Sequence, residues 1–265
     1  MIDKRMELAL KIKGFCGIDF TMNLANLDLK VSRRLDELGV NLEEYIPHLQ
    51  RDPKEWDKLV EHITINETYF FREFNQLKEF QTLLKKQTGK LINVWCIPCS
   101  TGEEAYSLAI MAKEVELSTG NRVRIVASDL NKKVLEHAKS GFYSKNSLSF
   151  RRLPEHKEFL KKYFSETMLG YEVKNEIKQM VSFEPFNLTD YPSYVKFNQI
   201  DFIFCRNVLF YFNEEIIKDV IGSFHSILNK DGYMFLGHAE SISSFENKFL
   251  SVHTKDTFYY KKEIL

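Results

Sequence analysis

Two adjacent carboxylates follow a turn that could bind a small ligand. The apolar run LINVWCI (91–97) leads into CSTGEE (99–104), and a helical pattern follows at about 103–117. Glycine in such a turn lets the backbone approach a ligand, and the first N–H groups of a helix have no partner within it. An ordinary strand–helix turn would read the same way, so both interpretations stay open for Glu103 and Glu104. The GxGxxG fingerprint of nicotinamide and flavin sites is absent, because no two glycines are spaced as GxG.

A third acidic residue, Asp129, closes the next apolar run, VRIVAS (123–128). A carboxylate at the end of a parallel strand can accept hydrogen bonds from both hydroxyls of a ribose. Asp129 could also cap the helix that the pattern predicts at 131–140, and the two roles do not exclude each other.

A polar pair follows the buried run QIDFIFC (199–205). Arg206 and Asn207 come directly after it, and Tyr211 lies one short turn further on. Polar side chains at the carboxyl end of a strand favour a ligand site, because ligands of doubly wound sheets bind at that edge. The alternative is a loop that satisfies its own backbone.

The segment NETYFFRE (66–73) places three consecutive aromatic residues between polar ones. Asn66 or Thr68 could cap a helix at 73–86, and from the residues alone we favour that role. Cys96 and Cys99 form a single CxxC pair, and no second pair supplies the four ligands of a zinc site. We therefore expect no metal.

The pattern of elements predicts an α/β fold with a doubly wound, mostly parallel sheet. Residues 1–64 show only helical spacing of apolar residues, whereas strand and helix patterns alternate from about residue 90. Residues 142–186 interrupt the alternation and contain a hairpin signal near MLGY (168–171). We predict a small all-helical N-terminal domain with its linker (1–75), a larger domain (76–265), and a β-containing subdomain inserted at about 142–186.

The overall composition narrows the function classes. The 37 basic residues balance 37 acidic ones, which disfavours a nucleic-acid-binding protein. The N-terminus lacks the pattern of a signal peptide, and no apolar run approaches the ~18 residues of a membrane span. We expect a cytoplasmic protein with four reduced cysteines, without direct membrane insertion.

Six ordered segments resemble the bacterial chemotaxis-receptor glutamate methyltransferases. They are NETYFFRE (66–73), CSTGEEAYSLA (99–109), ASDLN with VLEHAKSGFY (127–143), FEPFNL (183–188), FCRNVLFYF (204–212) and GHAES (237–241). This resemblance spans nearly the whole chain. It implies a class I S-adenosylmethionine methyltransferase that forms γ-carboxyl methyl esters on receptor glutamates and releases S-adenosylhomocysteine.

The resemblance also implies a set of site residues. Arg72 and Tyr211 would lie beside the transferred methyl group. The cofactor contacts would come from Asn66, Thr68, Arg72, Glu103 or Glu104, Asp129, Asn187, Leu188, Arg206, Asn207 and Val208. A glutamate carboxylate has a pKa of about 4.3 and is ionised at neutral pH, so no strong general base is required.

The implied partner is the cytoplasmic helical domain of a chemotaxis receptor, bound by a monomeric enzyme. Lys30, Arg33 and Arg34 share one helix face and could meet acidic receptor residues, although a solvated face explains them equally well. The short segment SETMLGYEV (165–173) argues against tethering of a receptor's C-terminal peptide. Two other functions remain: a methyltransferase of the same fold for another protein or a small-molecule carboxylate, and a non-catalytic regulator that binds S-adenosylmethionine.

Overall fold

Four helices form the N-terminal part of the protein. The structure, a computed structural model, describes residues 3–151, 157–245 and 248–263, except for the side chain of Lys157. The helices are α1 (Lys4–Cys16), α2 (Leu24–Leu38), α3 (Leu42–Arg51) and α4 (Pro53–Ile63). Each begins at a side chain that accepts a hydrogen bond from a first-turn N–H: Asp3, Asn23, Asn41 and Asp52. Their apolar faces enclose one core, which includes Leu8, Leu27, Tyr45 and Leu59.

Strands and helices alternate in the rest of the chain. The helices are α5 (Phe74–Lys85), α6 (Glu103–Thr119), α7 (Lys132–Ser140), α8 (Lys157–Tyr163), α9 (Asn175–Lys178) and α10 (Glu214–Ile227). The strands are β1 (Leu91–Cys96), β2 (Arg122–Asp129), β3 (Phe142–Ser144), β4 (Phe164–Glu166), β5 (Gly170–Val173), β6 (Val181–Pro185), β7 (Ile200–Cys205), β8 (Leu228–Leu236), β9 (Phe249–His253) and β10 (Phe258–Lys262).

Seven strands form the central sheet in the order β6-β2-β1-β7-β8-β10-β9. The pairs β6–β2, β2–β1, β1–β7 and β7–β8 are parallel, whereas β10 runs antiparallel to both of its neighbours. The doubly wound, mostly parallel sheet predicted from the sequence is therefore confirmed. The carboxyl ends of five parallel strands meet at one edge, where a ligand site is expected.

The central strands are buried on both faces because their side chains alternate between two cores. From β1, Ile92 and Val94 enter the core beneath α5 and α6, while Trp95 enters the core beneath α10. The ring of Trp95 stacks on Phe197 with centroids 4.0 Å apart. Both faces are thus covered by helices, and the strand ends remain the accessible part of the sheet.

A second, antiparallel sheet lies within residues 142–173. Its strand order is β3-β5-β4, and β4 and β5 form the hairpin expected near residues 168–171. β6 pairs with β2 in the central sheet, so the inserted sheet ends before residue 181, earlier than the segment 142–186 suggested by the sequence. In the part of the chain that the structure describes, no helix has the length and apolarity needed to cross a membrane.

Candidate active site

A cleft opens at the carboxyl edge of the central sheet. It measures about 880 Å³ when counted to its open mouth. Eleven of the twelve residues that the sequence assigned to catalysis or cofactor binding line it: Asn66, Thr68, Arg72, Glu104, Asp129, Asn187, Leu188, Arg206, Asn207, Val208 and Tyr211. Residues separated by up to 145 positions in the chain are brought together because every one follows a strand end or lies in the linker after α4.

Asp129 is buried at the end of β2 and is held by backbone donors. The N–H of Ser100 donates to its Oδ2 at 2.8 Å, and the N–H of Asn131 donates to its Oδ1 at 2.9 Å. Burial raises the pKa of Asp129 to about 6, and these backbone hydrogen bonds partly oppose that effect. Asp129 does not cap α7, because the side chain of Asn131 accepts from the first-turn N–H groups of that helix. The carboxylate is therefore available to the cleft.

The two glutamates of the first turn have different environments. Glu103 accepts hydrogen bonds from Thr101 Oγ1 and Ser149 Oγ, both at 2.7 Å, and does not line the cleft. Glu104 lines the cleft, and its buried Oε1 has no hydrogen-bond partner among the described residues. Of the two residues that the sequence left open, only Glu104 offers a carboxylate to a ligand, and Glu103 instead fastens the turn to the inserted segment.

A buried cation, Arg206, forms part of the cleft lining. Arg206 is 3% exposed and lies 3.0 Å from Glu73 Oε2 and 3.4 Å from Glu104 Oε1. Desolvation raises the pKa of Glu104, and the charge of Arg206 opposes that rise. Glu73 was not identified from the sequence. It has a left-handed backbone (φ 54°) at the start of α5, and no side-chain cap of α5 from Asn66 or Thr68 is present.

The linker residues 64–73 are attached to both neighbouring loops. Ser100 Oγ donates to the carbonyl of Asn66 at 2.9 Å, and Asn131 Nδ2 donates to Thr64 Oγ1 at 3.0 Å. Phe70 packs against Phe150 and Phe164 of the inserted segment, with centroids 5.3 and 5.0 Å apart. Phe70 therefore anchors the linker, which lets Arg72 reach the cleft from a fixed backbone.

Arg72 and Tyr211 face the cleft from opposite parts of the chain. The guanidinium of Arg72 donates one hydrogen bond, from Nη1 to the carbonyl of Glu67 at 3.1 Å, and lies 5.7 Å from the ring centroid of Tyr69. Burial raises the pKa of Tyr211, and the charge of Arg72 opposes that rise. Arg72 makes no ion pair among the described residues, so its charge is available to an anion.

The end of α1 forms one wall of the cleft, which the sequence did not indicate. Cys16 and Ile18 line it, and the carbonyl of Phe15 accepts hydrogen bonds from Asn187 Nδ2 at 2.6 Å and Thr189 Oγ1 at 3.3 Å. The amide group of Asn187 is thus used to hold the helical domain, and only the rest of the residue faces a ligand. No motif in α1 marks this role, because it depends on tertiary packing.

The basic face of α2 requires a correction. Arg34 is not presented to solvent, because its Nε and Nη2 donate to the buried carboxylate of Glu55 at 2.8 and 2.7 Å. Arg33 is 81% exposed and, within the described part of the chain, pairs only with Glu37, and Lys30 is half-buried. The docking interpretation can therefore involve Lys30 and Arg33 but not Arg34.

Comparisons with known proteins find similarity over most of the chain. Residues 66–258 match the family model described as CheR methyltransferase, SAM binding domain. Chemotaxis protein methyltransferase 2 of Vibrio cholerae is 36% identical over 80% of this chain and 75% of its own length. The chemotaxis protein methyltransferase of Borreliella burgdorferi is 32% identical over 93% of this chain and 82% of its own. A protein of Pseudomonas aeruginosa named as a probable biofilm formation methyltransferase is 32% identical over 91% of this chain and 57% of its own.

Proposed function

This chain belongs to the CheR methyltransferase family, and we propose that it methylates glutamate side chains of chemotaxis receptors to form γ-carboxyl methyl esters. Its cofactor is S-adenosylmethionine. The observation that supports the proposal is the composition of the cleft. It combines two buried carboxylates, suited to a nucleoside with an amino group, with one unpaired guanidinium suited to an anionic substrate.

The residues of the cleft fit the cofactor. Asp129 would accept hydrogen bonds from the ribose hydroxyls, and the carboxylate of Glu104 would accept from the amino group. Apolar side chains beside Asp129, from Leu130, Leu188 and Val208, would enclose the adenine. Glu104 is buried and pairs only at 3.4 Å with Arg206 among the described residues, so a cationic amine would add a hydrogen bond that its carboxylate does not make in the protein.

A glutamate substrate explains why the cleft needs no general base. Among the described residues that line it, none is a histidine or a lysine. When bound, S-adenosylmethionine would supply a methyl group on its sulfonium sulfur, and the substrate carboxylate would take that methyl group while the electrons of the S–C bond remained on sulfur. No proton moves in this step. Arg72 would hold the second carboxylate oxygen, and Tyr211 would add a hydrogen bond, so that both residues orient the nucleophile and exclude water.

Recognition of a helical receptor is assigned to the N-terminal domain. Arg33 offers an exposed guanidinium on α2, and Lys30 lies three positions before it. These cations would meet acidic side chains beside the target glutamates. The similarity to the biofilm formation methyltransferase supports a second candidate function. In it, the same reaction would modify a receptor-like protein of another signalling system.

The experiment is methyl transfer from tritiated cofactor to receptor cytoplasmic fragments. We expect base-labile label, because methyl esters release methanol in alkali whereas N-methyl groups do not. Arg72→Ala should lower turnover at saturating cofactor about 100-fold or more, because a misplaced nucleophile can cost that much. Its melting temperature should change little, since the side chain makes a single hydrogen bond to the residues that the structure describes.

Arg151→Ala is the matched control for Arg72. The Arg151 guanidinium also lies over Tyr69, at 3.9 Å from the ring centroid, but it pairs with Glu67 and does not line the cleft. Its removal should leave turnover within about twofold of the wild type, as expected for a surface pair. Label that survives alkali would contradict ester formation, and normal turnover of Arg72→Ala would remove Arg72 from the reaction.

A further inference from the structure

Glu240 has a bonding pattern that no cofactor or substrate role explains. It lies in the turn after β8, within the GHAES segment, and is 4% exposed. Its Oε2 accepts hydrogen bonds from the N–H groups of Gly237 and Asn207, and its Oε1 accepts from those of Val208 and Leu209. All four donor–acceptor distances are 2.7 Å. One buried carboxylate therefore binds four backbone donors from two loops.

Three of those donors are consecutive residues after β7 that have no strand or helix partner for their N–H groups. Asn207 has a left-handed backbone (φ 62°), which turns neighbouring N–H groups toward one point. Such a concave set of donors ordinarily binds an anion, and here the protein supplies the anion itself. Without the Glu240 carboxylate, the three buried N–H groups of the loop would have no acceptor, and the loop would lose the hydrogen bonds that stabilise this conformation.

The loop after β7 supplies several of the residues that line the cleft. Arg206 precedes it, Asn207 and Val208 line the cleft directly, and Tyr211 follows in a 3₁₀ turn at Leu209–Tyr211. The N–H of Tyr211 donates to the carbonyl of Val208 at 3.0 Å, so the placement of Tyr211 depends on the backbone that Glu240 holds.

We propose that Glu240 is a positioning residue that fixes the loop after β7 in the shape that binds S-adenosylmethionine and presents Tyr211. It acts through the backbone and touches neither cofactor nor substrate. The cofactor part rests on the family assignment, whereas the Tyr211 part rests on the proposed methyl transfer.

Neither a glutamine nor an aspartate can replace this group. Glutamine has one acceptor oxygen, so its NH₂ would face two N–H donors that then lose their acceptor. Aspartate is one methylene shorter and cannot reach both loops from the same backbone. The carboxylate also lies close to the Gly237 backbone, because a Cβ at Gly237 would lie 2.8 Å from Glu240 Oε2 and 2.7 Å from Asn207 Nδ2.

The first test compares Glu240→Gln with Glu215→Gln, an exposed glutamate in the first turn of α10. Calorimetry with S-adenosylhomocysteine should show affinity lowered at least about tenfold for Glu240→Gln and unchanged for Glu215→Gln. Turnover at saturating cofactor should fall about 100-fold for Glu240→Gln, because Tyr211 is displaced. The calorimetry needs no receptor, so its result stands even if the proposed substrate is incorrect.

The second test is rescue by a small anion. Glu240→Ala empties the position between the four donors, and formate or acetate added at increasing concentration should restore affinity for S-adenosylhomocysteine, whereas chloride at equal ionic strength should not. A role in stability alone would lower the melting temperature of Glu240→Gln and leave affinity and turnover normal, and that result would overturn the proposal. If Glu240→Gln does not fold, absence of any rescue by formate in Glu240→Ala overturns it instead.

Discussion

Asp129 shows how one carboxylate can couple binding to pH. Its burial opposes ionisation, and the two backbone N–H groups are too few to offset the lost hydration, so its pKa is raised to about 6. The unfolded chain has its carboxyl pKa near 3.9, so between about pH 4 and 6 the folded protein binds more protons than the unfolded one. The favourable contribution of Asp129 to the free energy of unfolding is therefore fully present below about pH 4 and is lost as the pH rises through 6.

Cofactor affinity should have the opposite pH dependence. Ribose hydroxyls donate better to the ionised carboxylate. Since pH 5 lies one unit below the raised pKa of about 6, S-adenosylhomocysteine should bind about tenfold more weakly at pH 5 than at pH 8. Titration calorimetry over this range measures the effect. The pKa of Glu104 is also raised, and its protonation would add to the effect in the same direction.

Asp129→Asn separates these two carboxylates. The amide cannot titrate, so any remaining pH dependence in the variant belongs to Glu104. We expect the variant to bind more weakly at pH 8 and to have a flatter profile. An unchanged affinity at pH 8, in a variant with a normal melting curve, would exclude Asp129 from the ribose site.

The turn between α1 and α2 allows the N-terminal helices to pack closely against the cleft. Gly17 follows α1 with φ 82°, and an added Cβ would lie 2.9 Å from Thr189 Cγ2 and 3.1 Å from the ring of Phe212. Both neighbours belong to the larger domain. Glycine at this position therefore permits the left-handed turn and the close contact between the domains.

Gly17→Ala should weaken both stability and binding. The left-handed conformation alone costs about 1–2 kcal/mol for alanine, and the contact with Thr189 adds to this cost. Cys16 and Ile18 would shift away from the cleft, so affinity for S-adenosylhomocysteine should fall by about fivefold or more, near 1 kcal/mol. Melting curves and calorimetry test both effects.

Gly14→Ala, in the last turn of α1, is the matched control for Gly17→Ala. Gly14 is exposed, and a Cβ there would meet nothing within 4 Å. Alanine should stabilise α1 by about 0.5–1 kcal/mol and leave cofactor affinity unchanged. Unchanged affinity in Gly17→Ala would indicate that the end of α1 plays no part in the site.

Substrate docking concerns the molecule as a whole, because the cations of α2 lie among the N-terminal helices, whereas most residues that line the cleft follow the strands of the central sheet. Lys30→Glu with Arg33→Glu should raise the apparent KM for receptor about tenfold at low salt and leave cofactor affinity intact. The effect should shrink at high salt, because exposed charges are screened over about 8–10 Å at 0.1–0.15 M. Methylation rates across receptor concentration and ionic strength measure this.

Two further charge reversals serve as controls. Arg51→Glu changes an exposed charge on α3 and should leave the receptor KM unchanged. Arg34→Glu should instead destabilise the protein by about 3–5 kcal/mol, since Glu55 would remain buried without its partner and Tyr45 would be its remaining neutral donor. Wild-type kinetics of Lys30→Glu with Arg33→Glu at low salt would show that receptor binds elsewhere.

The amino-acid sequence determined the fold class and the location of the site. Apolar runs of strand length alternating with helical patterns predicted the parallel sheet, and polar residues directly after three of those runs predicted a ligand site at one edge. These features are local, because a strand buried on both faces must be apolar along its length and a site at its end must be polar in the next few residues. Asp129, Arg206 and Tyr211 were identifiable for this reason.

Only the tertiary structure decided the partners of those residues. Glu103 and Glu104 are adjacent in the sequence, yet one bonds to Ser149 and the other faces the cleft, because neighbouring residues at a helix start point in different directions. In the sequence, Arg34 resembles a free surface cation, whereas in the structure it pairs with Glu55, which lies 21 positions further along the chain. The four donors around Glu240 converge because β7 and β8 are parallel neighbours, so their exits meet at one point, and contacts set by strand order cannot be read from a linear chain.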